Sequence, residues 1–411
     1  MLSRPAALTV LVLVTMHADA ATLQGVIHEN EMSGRPMANI QVAGDGANPT
    51  TSESFGRFTL EFPKKNPGDP AEVIVNKEGY VAVNDVQLKL ALPARPEYQV
   101  LIIILCQEVD ADEMRRRFYR IKSTAAIEDT YTRRRKELEA HGQATAEAIT
   151  KLQQDRNQAK AAAGKTFEFL AQKLPGQNSE LYEQAQRLFL DGDVDRAIEL
   201  LNDDALNLAL ANDEERRNRG EQTTGNGTQA WLLKARLLTV KYRFDDAAKG
   251  YLNALDATPD SFEANLEFAL FNQGLNRYEE ARRTYQRCID LAAKQGSNAR
   301  LATSLNNLGD LARDQNRPDE ARRQYEEALK INRELAEKNP GAYLPEVATT
   351  LNNLGNLSRD QNRLDEARRQ FEEALEIYES PAIKIKGGEQ FILDAEDMKR
   401  QLETLSSKKG S

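Results

Sequence analysis

A small all-β sandwich followed by a helical spacer and an all-α solenoid is the multidomain architecture this sequence predicts. Two observations carry that expectation. Ser304 to Ile331 (SLNNLGDLARDQNRPDEARRQYEEALKI) and Thr350 to Ile377 (TLNNLGNLSRDQNRLDEARRQFEEALEI) align without gaps at an offset of 46 and match at 22 of 28 positions. One such unit cannot bury its own apolar face, so it must stack on neighbours. The second observation is a change of character near residue 107. Gly, Pro and β-branched residues dominate before it, and helix-forming residues after it.

Residues 1–20 read as a secretory signal. Arg4 gives a positive start, Ala6 to Met16 is apolar, and Ala18-Asp19-Ala20 offers a small-x-small cleavage site. The run is too short to span a bilayer and no later segment is long enough, so a periplasmic or secreted protein without membrane insertion is expected. The 411 residues carry 55 Lys and Arg against 64 Asp and Glu, a net charge of −9 with no basic stripe, which argues against a nucleic-acid partner. The two cysteines, Cys106 and Cys288, are too few for a disulfide framework and read as buried thiols, with an interdomain bridge as the alternative.

Residues 21–107 show short alternating runs: Leu23 to Ile27, Asn39 to Val42, Arg57 to Phe62 and Glu72 to Val75. Turn clusters at Ser33-Gly34-Arg35-Pro36 and Gly44-Asp45-Gly46 separate them, which predicts an antiparallel sandwich. Val100 to Cys106 (VLIIILC) is continuous and apolar, as in a strand buried on both faces. Gly25-Val26, Pro36 through Ile40, Phe55-Gly56-Arg57-Phe58-Thr59-Leu60 and Val75-Asn76-Lys77-Glu78-Gly79-Tyr80 together resemble the carboxypeptidase regulatory-like (transthyretin-like) domain. His28-Glu29-Asn30-Glu31 has the H-x-x-E form of a zinc pair. His141 is the only other histidine of the mature chain, however, and lies in a charged helical stretch, so the string reads as a surface turn and no metal is expected.

Residues 108–174 are helical in composition. Asp110 with Glu113 has the form of a capping box, and Met114, Phe118 and Ile121 share a face. A second helix starting at Ser123 or Thr124 would carry Ile127, Tyr131, Leu138, Ile149 and Leu152. The stripe is thin for a coiled coil, so a spacer is favoured over a dimerisation rod. Phe167, Phe169 and Leu170 would dock it onto the first repeat, Leu174-Pro175-Gly176 would end it, and Asn218 to Thr228 reads as a mobile loop.

Residues 175–383 hold about five repeats. In the duplicated unit Leu305, Leu308 and Leu311 form one helical stripe, Asp314-Gln315-Asn316-Arg317 a polar break, and Ala321, Tyr325 and Ala328 a second stripe. Trp231, Ala235, Ala247, Tyr251, Ala254 and Pro259 form an earlier copy, Ala269, Ala281, Tyr285 and Cys288 another, and Leu181, Ala185, Leu188, Ala197 and Leu201 a weaker one. This spacing resembles the tetratricopeptide repeat (TPR), and the LNNLG opening with its long period resembles the kinesin-light-chain variety. Residues 384–411 supply a polar closing helix, Ile392 to Leu405, and a tail.

The resemblance implies a protein or peptide ligand in a groove lined by the first helix of each hairpin. Asn306, Asp310 and Arg313, with Asn352, Asn356 and Arg359, fall one turn apart on that helix. A primary amide can both donate to and accept from an extended backbone, and Arg supplies a forked donor. In kinesin-light-chain-like repeats the LNNL asparagines serve this role, here Asn306, Asn307, Asn352 and Asn353. The aromatic usual at the end of that helix is replaced by Ala312 and Ser358. The competing reading is that these residues are solvated or tie neighbouring helices together. No P-loop, Rossmann glycine pattern or catalytic triad is present, so no cofactor and no enzyme activity are expected. The leading reading is an exported adaptor. The alternative is an envelope component whose sandwich binds glycan, and the oligomeric state stays open.

Overall fold

The computed structural model describes residues 20–171, 179–219, 225–380, 383 and 389–408. The chain divides into two compact units, one up to Leu105 and one from Cys106 onward. The expected signal (1–20), apart from its last residue, and Leu174-Pro175-Gly176 lie outside the described residues.

Among the described residues the first unit contains eight strands: β1 (Ala21–Glu29), β2 (Gln41–Gly44), β3 (Thr50–Thr51), β4 (Arg57–Phe62), β5 (Pro70–Asn76), β6 (Tyr80–Ala82), β7 (Lys89–Ala91) and β8 (Leu101–Gln107), the last running two residues past the unit's end. They form two four-stranded sheets, ordered β4-β1-β8-β6 and β3-β2-β5-β7. Leu23 and Ile27 of β1, Phe58, Leu60 and Phe62 of β4, and Val42 and Val73 of the second sheet share one apolar core. Gly56 holds a φ of +70° and a Cβ there would meet the Ile27 carbonyl, so this turn requires glycine before β4 can place Phe58 and Leu60 inward.

One pairing departs from the antiparallel expectation. β1 is antiparallel to β4 but parallel to β8, with Gly25 opposite Leu101 and Glu29 opposite Leu105. Between these strands the chain visits the second sheet and returns, so no hairpin dictates their relative direction. Ile103, Ile104, Leu105 and Cys106 are all buried, which is why the run is apolar without alternation.

The second unit is helical. It begins with α1 (Ala111–Ala140) and α2 (Ala146–Thr166), then α3 (Glu180–Leu190) and α4 (Val194–Leu200), a lone α5 (Asp203–Asn218), and four longer hairpins. These are α6 (Asn226–Val240) with α7 (Phe244–Ala257), α8 (Phe262–Gly274) with α9 (Tyr278–Lys294), α10 (Asn298–Asp314) with α11 (Pro318–Lys338), and α12 (Pro340–Asp360) with α13 (Leu364–Glu379). A closing α14 (Glu389–Lys408) buries Met398 and Leu405 against the last hairpin. No helix among the described residues is long and apolar enough to cross a membrane.

The recurring alanines 197, 247, 281, 321 and 367 are fully buried, as are the aromatics Tyr251, Tyr285, Tyr325 and Phe371 one turn on. Gly309 and Gly355 face those rings directly: a Cβ would lie 2.6 Å from Tyr325 and 2.5 Å from Phe371. The polar break is a helix stop. Asn276, Asn316 and Asn362 take left-handed φ values of 59°, 55° and 59°. The next residue then donates back to the closing helix, as Arg317 N to Ala312 O at 2.8 Å.

Four expectations in this unit are corrected. α1 runs unbroken through Ser123, whose hydroxyl donates to Arg120 O instead of starting a helix, and Asp110 does not cap it through its side chain. Met114 and Phe118 are buried, whereas Ile121 is 48% exposed. The stretch 203–218 is a helix the sequence reading passed over, because Leu206 is its one buried apolar residue. α6 starts at Asn226, inside the expected loop. The buried Asp213 carboxylate of α5 accepts from Gly227 N at 2.8 Å and satisfies an amide that a helix start leaves open. Cys106 and Cys288 are free and buried, and burial pushes their thiols up to about 11 and about 12.

Candidate functional site

The first helices of consecutive hairpins touch in series: α6 meets α8 through Arg236 and Glu267, α8 packs against α10, and α10 against α12. The residues singled out from the sequence lie on α10 and α12, each half-buried. Asn306 Nδ2 donates to Thr350 Oγ1 at 3.1 Å, which ties α10 to α12. Asn307 donates to Thr303 O at 2.9 Å within its own helix. Asp310 accepts from the Tyr325 hydroxyl at 2.7 Å. Asn356 donates to Asn352 Oδ1 at 3.1 Å, and Arg359 is held by Gln401 of α14 and lies 3.6 Å from Asp360. The side chains of Arg313 and Asn353 make no hydrogen bond among the described residues. The tying role weighed for these polar side chains therefore holds for Asn306 and Arg359, while the side chains of Arg313 and Asn353 have no such tie among the described residues.

Sequence reasoning missed what packs on the earlier first helices. α1 and α2 pack as a hairpin, and α2 packs against α6 and α8. Ala159, Ala162 and Ala163 are buried there, and Gly274 at the end of α8 comes so close that a Cβ would lie 2.4 Å from Ala162 N. Past that contact, Lys165 Nζ reaches α10, 3.2 Å from Asp310 Oδ2 and 3.5 Å from Asn307 Oδ1. The segment read as a spacer thus belongs to the same compact unit as the repeats, and its apolar side is used within the chain. The run of small residues (QAKAAAGK) was the available signal, since a helix of that composition presents a flat face.

α1 is anchored by polar contacts to the ends of the early helices. Lys122 Nζ donates to Leu190 O at 2.8 Å, Gln186 Nε2 to Tyr119 Oη at 2.6 Å, and Arg134 to Lys241 O at 2.6 Å. Tyr242 occupies the left-handed turn position that asparagine fills in the three later hairpins. Its ring lies under Arg134 and its hydroxyl donates to Ile127 O at 2.7 Å. Phe167 docks on Phe189 of the first hairpin, ring centres 5.2 Å apart, as the sequence suggested. Beneath these elements Arg236 of α6 and Glu267 of α8 form a fully buried, bidentate ion pair. Burial works against the Arg236 charge, but Glu267 more than offsets it and holds the guanidinium above its usual range.

Residues 260–334 and 347–380 match family models described as tetratricopeptide repeat. The C-terminal part of the chain carries tetratricopeptide repeats. No curated protein matches the chain. Among solved structures it is similar to BtubC (BKLC) from P. vanneervenii, at 19% identity and TM-score 0.40, covering 56% of this chain and 89% of that one. It is also similar to MamA (20%, TM-score 0.34, covering 47% and 94%) and to yeast Tom70 (17%, TM-score 0.29, covering 73% and 63%). No group of three or more His, Cys, Asp or Glu is placed to hold a metal among the described residues.

Proposed function

We propose that this chain is a protein-interaction scaffold whose TPR stack holds a segment of a partner protein against α10 and α12. The family match supports a binding role. Arg313 and Asn353 carry the local argument, because they are half-buried on α10 and α12 and their side chains make no hydrogen bond among the described residues. Asn307, Asp310, Asn352 and Asn356 flank them, and Asn306 and Arg359 hold the rungs in place.

A photo-crosslinking residue at position 356, in protein isolated from its native compartment, tests this reading. A partner band is expected, and the paired substitution Arg313→Ala/Asn353→Ala should reduce it several-fold while leaving the melting temperature unchanged. A band pattern indifferent to that pair would move binding to another surface. The composition of residues 1–20 supports export to the periplasm or beyond. Terminal sequencing of the native protein should then find Ala21 first, and a chain beginning at Met1 would refute export.

A further inference from the structure

The first-helix side already has an occupant, and that occupant is a helix. We infer that this side is a helix-binding surface on which α2 acts as an internal ligand, and that a partner helix with the same surface chemistry competes for it. Three observations lead there. α2 packs against α6 and α8, its Ala159, Ala162 and Ala163 are buried, and its backbone at Ala161 and Ala162 crowds Gly274, so the surface favours a helix with small residues at i, i+3 and i+4. Lys165, at i+6 in the same count, places its ammonium between Asp310 and Asn307, two residues of the proposed partner site. Among the described residues, Lys165 supplies the hydrogen bonds from α2 to the first helices.

The two halves of the hairpin are held differently. α1 is fixed by the hydrogen bonds of Lys122, Tyr119, Arg134 and Tyr242. A tyrosine at a left-handed φ of 59° is unfavourable, and the hydroxyl's bond to Ile127 O and the ring's place under Arg134 are what offset that cost. α2 is joined to α1 by Lys160 and Arg156, which pair with Glu128, and by Arg156 over the Tyr131 ring. Toward the first helices, among the described residues, it has only buried small side chains, Leu152 and an ion pair whose lysine is 55% exposed. Pairs of that kind contribute little and exchange readily. The competitor is therefore an amphipathic helix carrying small residues at i, i+3 and i+4 and a Lys or Arg at i+6. Binding of such a helix would free the Asp310 end of α2 while α1 stays clamped.

This rests on the first-helix side being a partner site, yet its test is separate from the crosslink at 356. The probe is a fluorescein-labelled peptide copying residues 145–171, titrated into full-length protein and followed by anisotropy. In cis, Lys165→Glu weakens the resident helix, whereas the peptide keeps its lysine. Binding to Lys165→Glu should be at least about fivefold tighter than to wild type. Adding Asp310→Asn should abolish the gain, and Lys151→Glu, at the other end of α2, should give none. In parallel, amide exchange across α2 should be faster than across α8 and should accelerate further in Lys165→Glu. Equal peptide binding by wild type and Lys165→Glu, or none by either, overturns the inference, as does exchange of α2 in step with α8 in both proteins. Loss of the crosslink at 356 with the peptide result intact would instead remove the proposed partner site.

Discussion

Glu267 shows what a single charge does inside a repeat stack. It and Arg236 are each almost wholly shielded from solvent, and each is acceptable there only because of the other. Glu267→Gln leaves a buried guanidinium uncompensated and is expected to cost about 3–5 kcal/mol in urea denaturation. The paired change Arg236→Met/Glu267→Leu should recover most of that loss, because an apolar pair of similar volume needs no charge partner. If the pair is as unstable as the single change, the ion pair holds the two helices through more than charge balance. Asn316 tests backbone shape at the same scale. Its left-handed φ of 55° suits Gly and excludes a β-branched residue. Asn316→Gly should leave the melting temperature nearly unchanged, whereas Asn316→Val should cost about 1–2 kcal/mol.

Between elements, the hairpins are joined by a repeated device. Arg282 of α9 pairs with Glu320 and with Gln315, and Arg322 of α11 pairs with Glu366 at 2.6 Å and with Gln361 at 3.1 Å. In each case one arginine holds both the turn and the first turn of the second helix in the next hairpin. Partial burial works to raise the Glu320 carboxyl, but Arg282 and Arg317 outweigh it and hold it below its ordinary value of 4.5. A carboxyl depressed by folding contributes stability above its unfolded pKa and loses it as pH falls through the folded value. Melting temperature should therefore drop more steeply below pH 4.5 in wild type than in Glu320→Gln, and parallel curves would show that the pair contributes nothing. The turn asparagines were legible as a polar break. The Arg–Glu links were not, because residues 38 and 44 apart in sequence show no periodic relation until the hairpins stack.

For the molecule as a whole, the sequence displayed those features that repeat. Alanines, aromatics and the small residue opposite each ring recur at fixed spacing, and burial of the same positions in every hairpin is the physical reason they could be read. Features that occur once were harder. α5 has a single buried apolar side chain and announces itself mainly through the Asp213 carboxylate that it lends to α6. The docking of α2 depends on Gly274, one glycine at the end of a helix, whose need for space is invisible without the neighbour that fills it. Within the candidate site, the stripe of polar residues was legible from helical spacing. Which of them are engaged was not, since Asn306 and Asn353 have the same composition and opposite roles.

The two near-identical units also have interchangeable ends. The surface that α9 offers to α10 and α11 through Arg282 is offered again by α11 to α12 and α13 through Arg322. A further 46-residue copy placed between them would meet a fitting neighbour above and below. Such a chain would lengthen by one rung, each end cap would keep its own contacts, and any ligand grip along α10 and α12 would gain reach without a newly evolved junction.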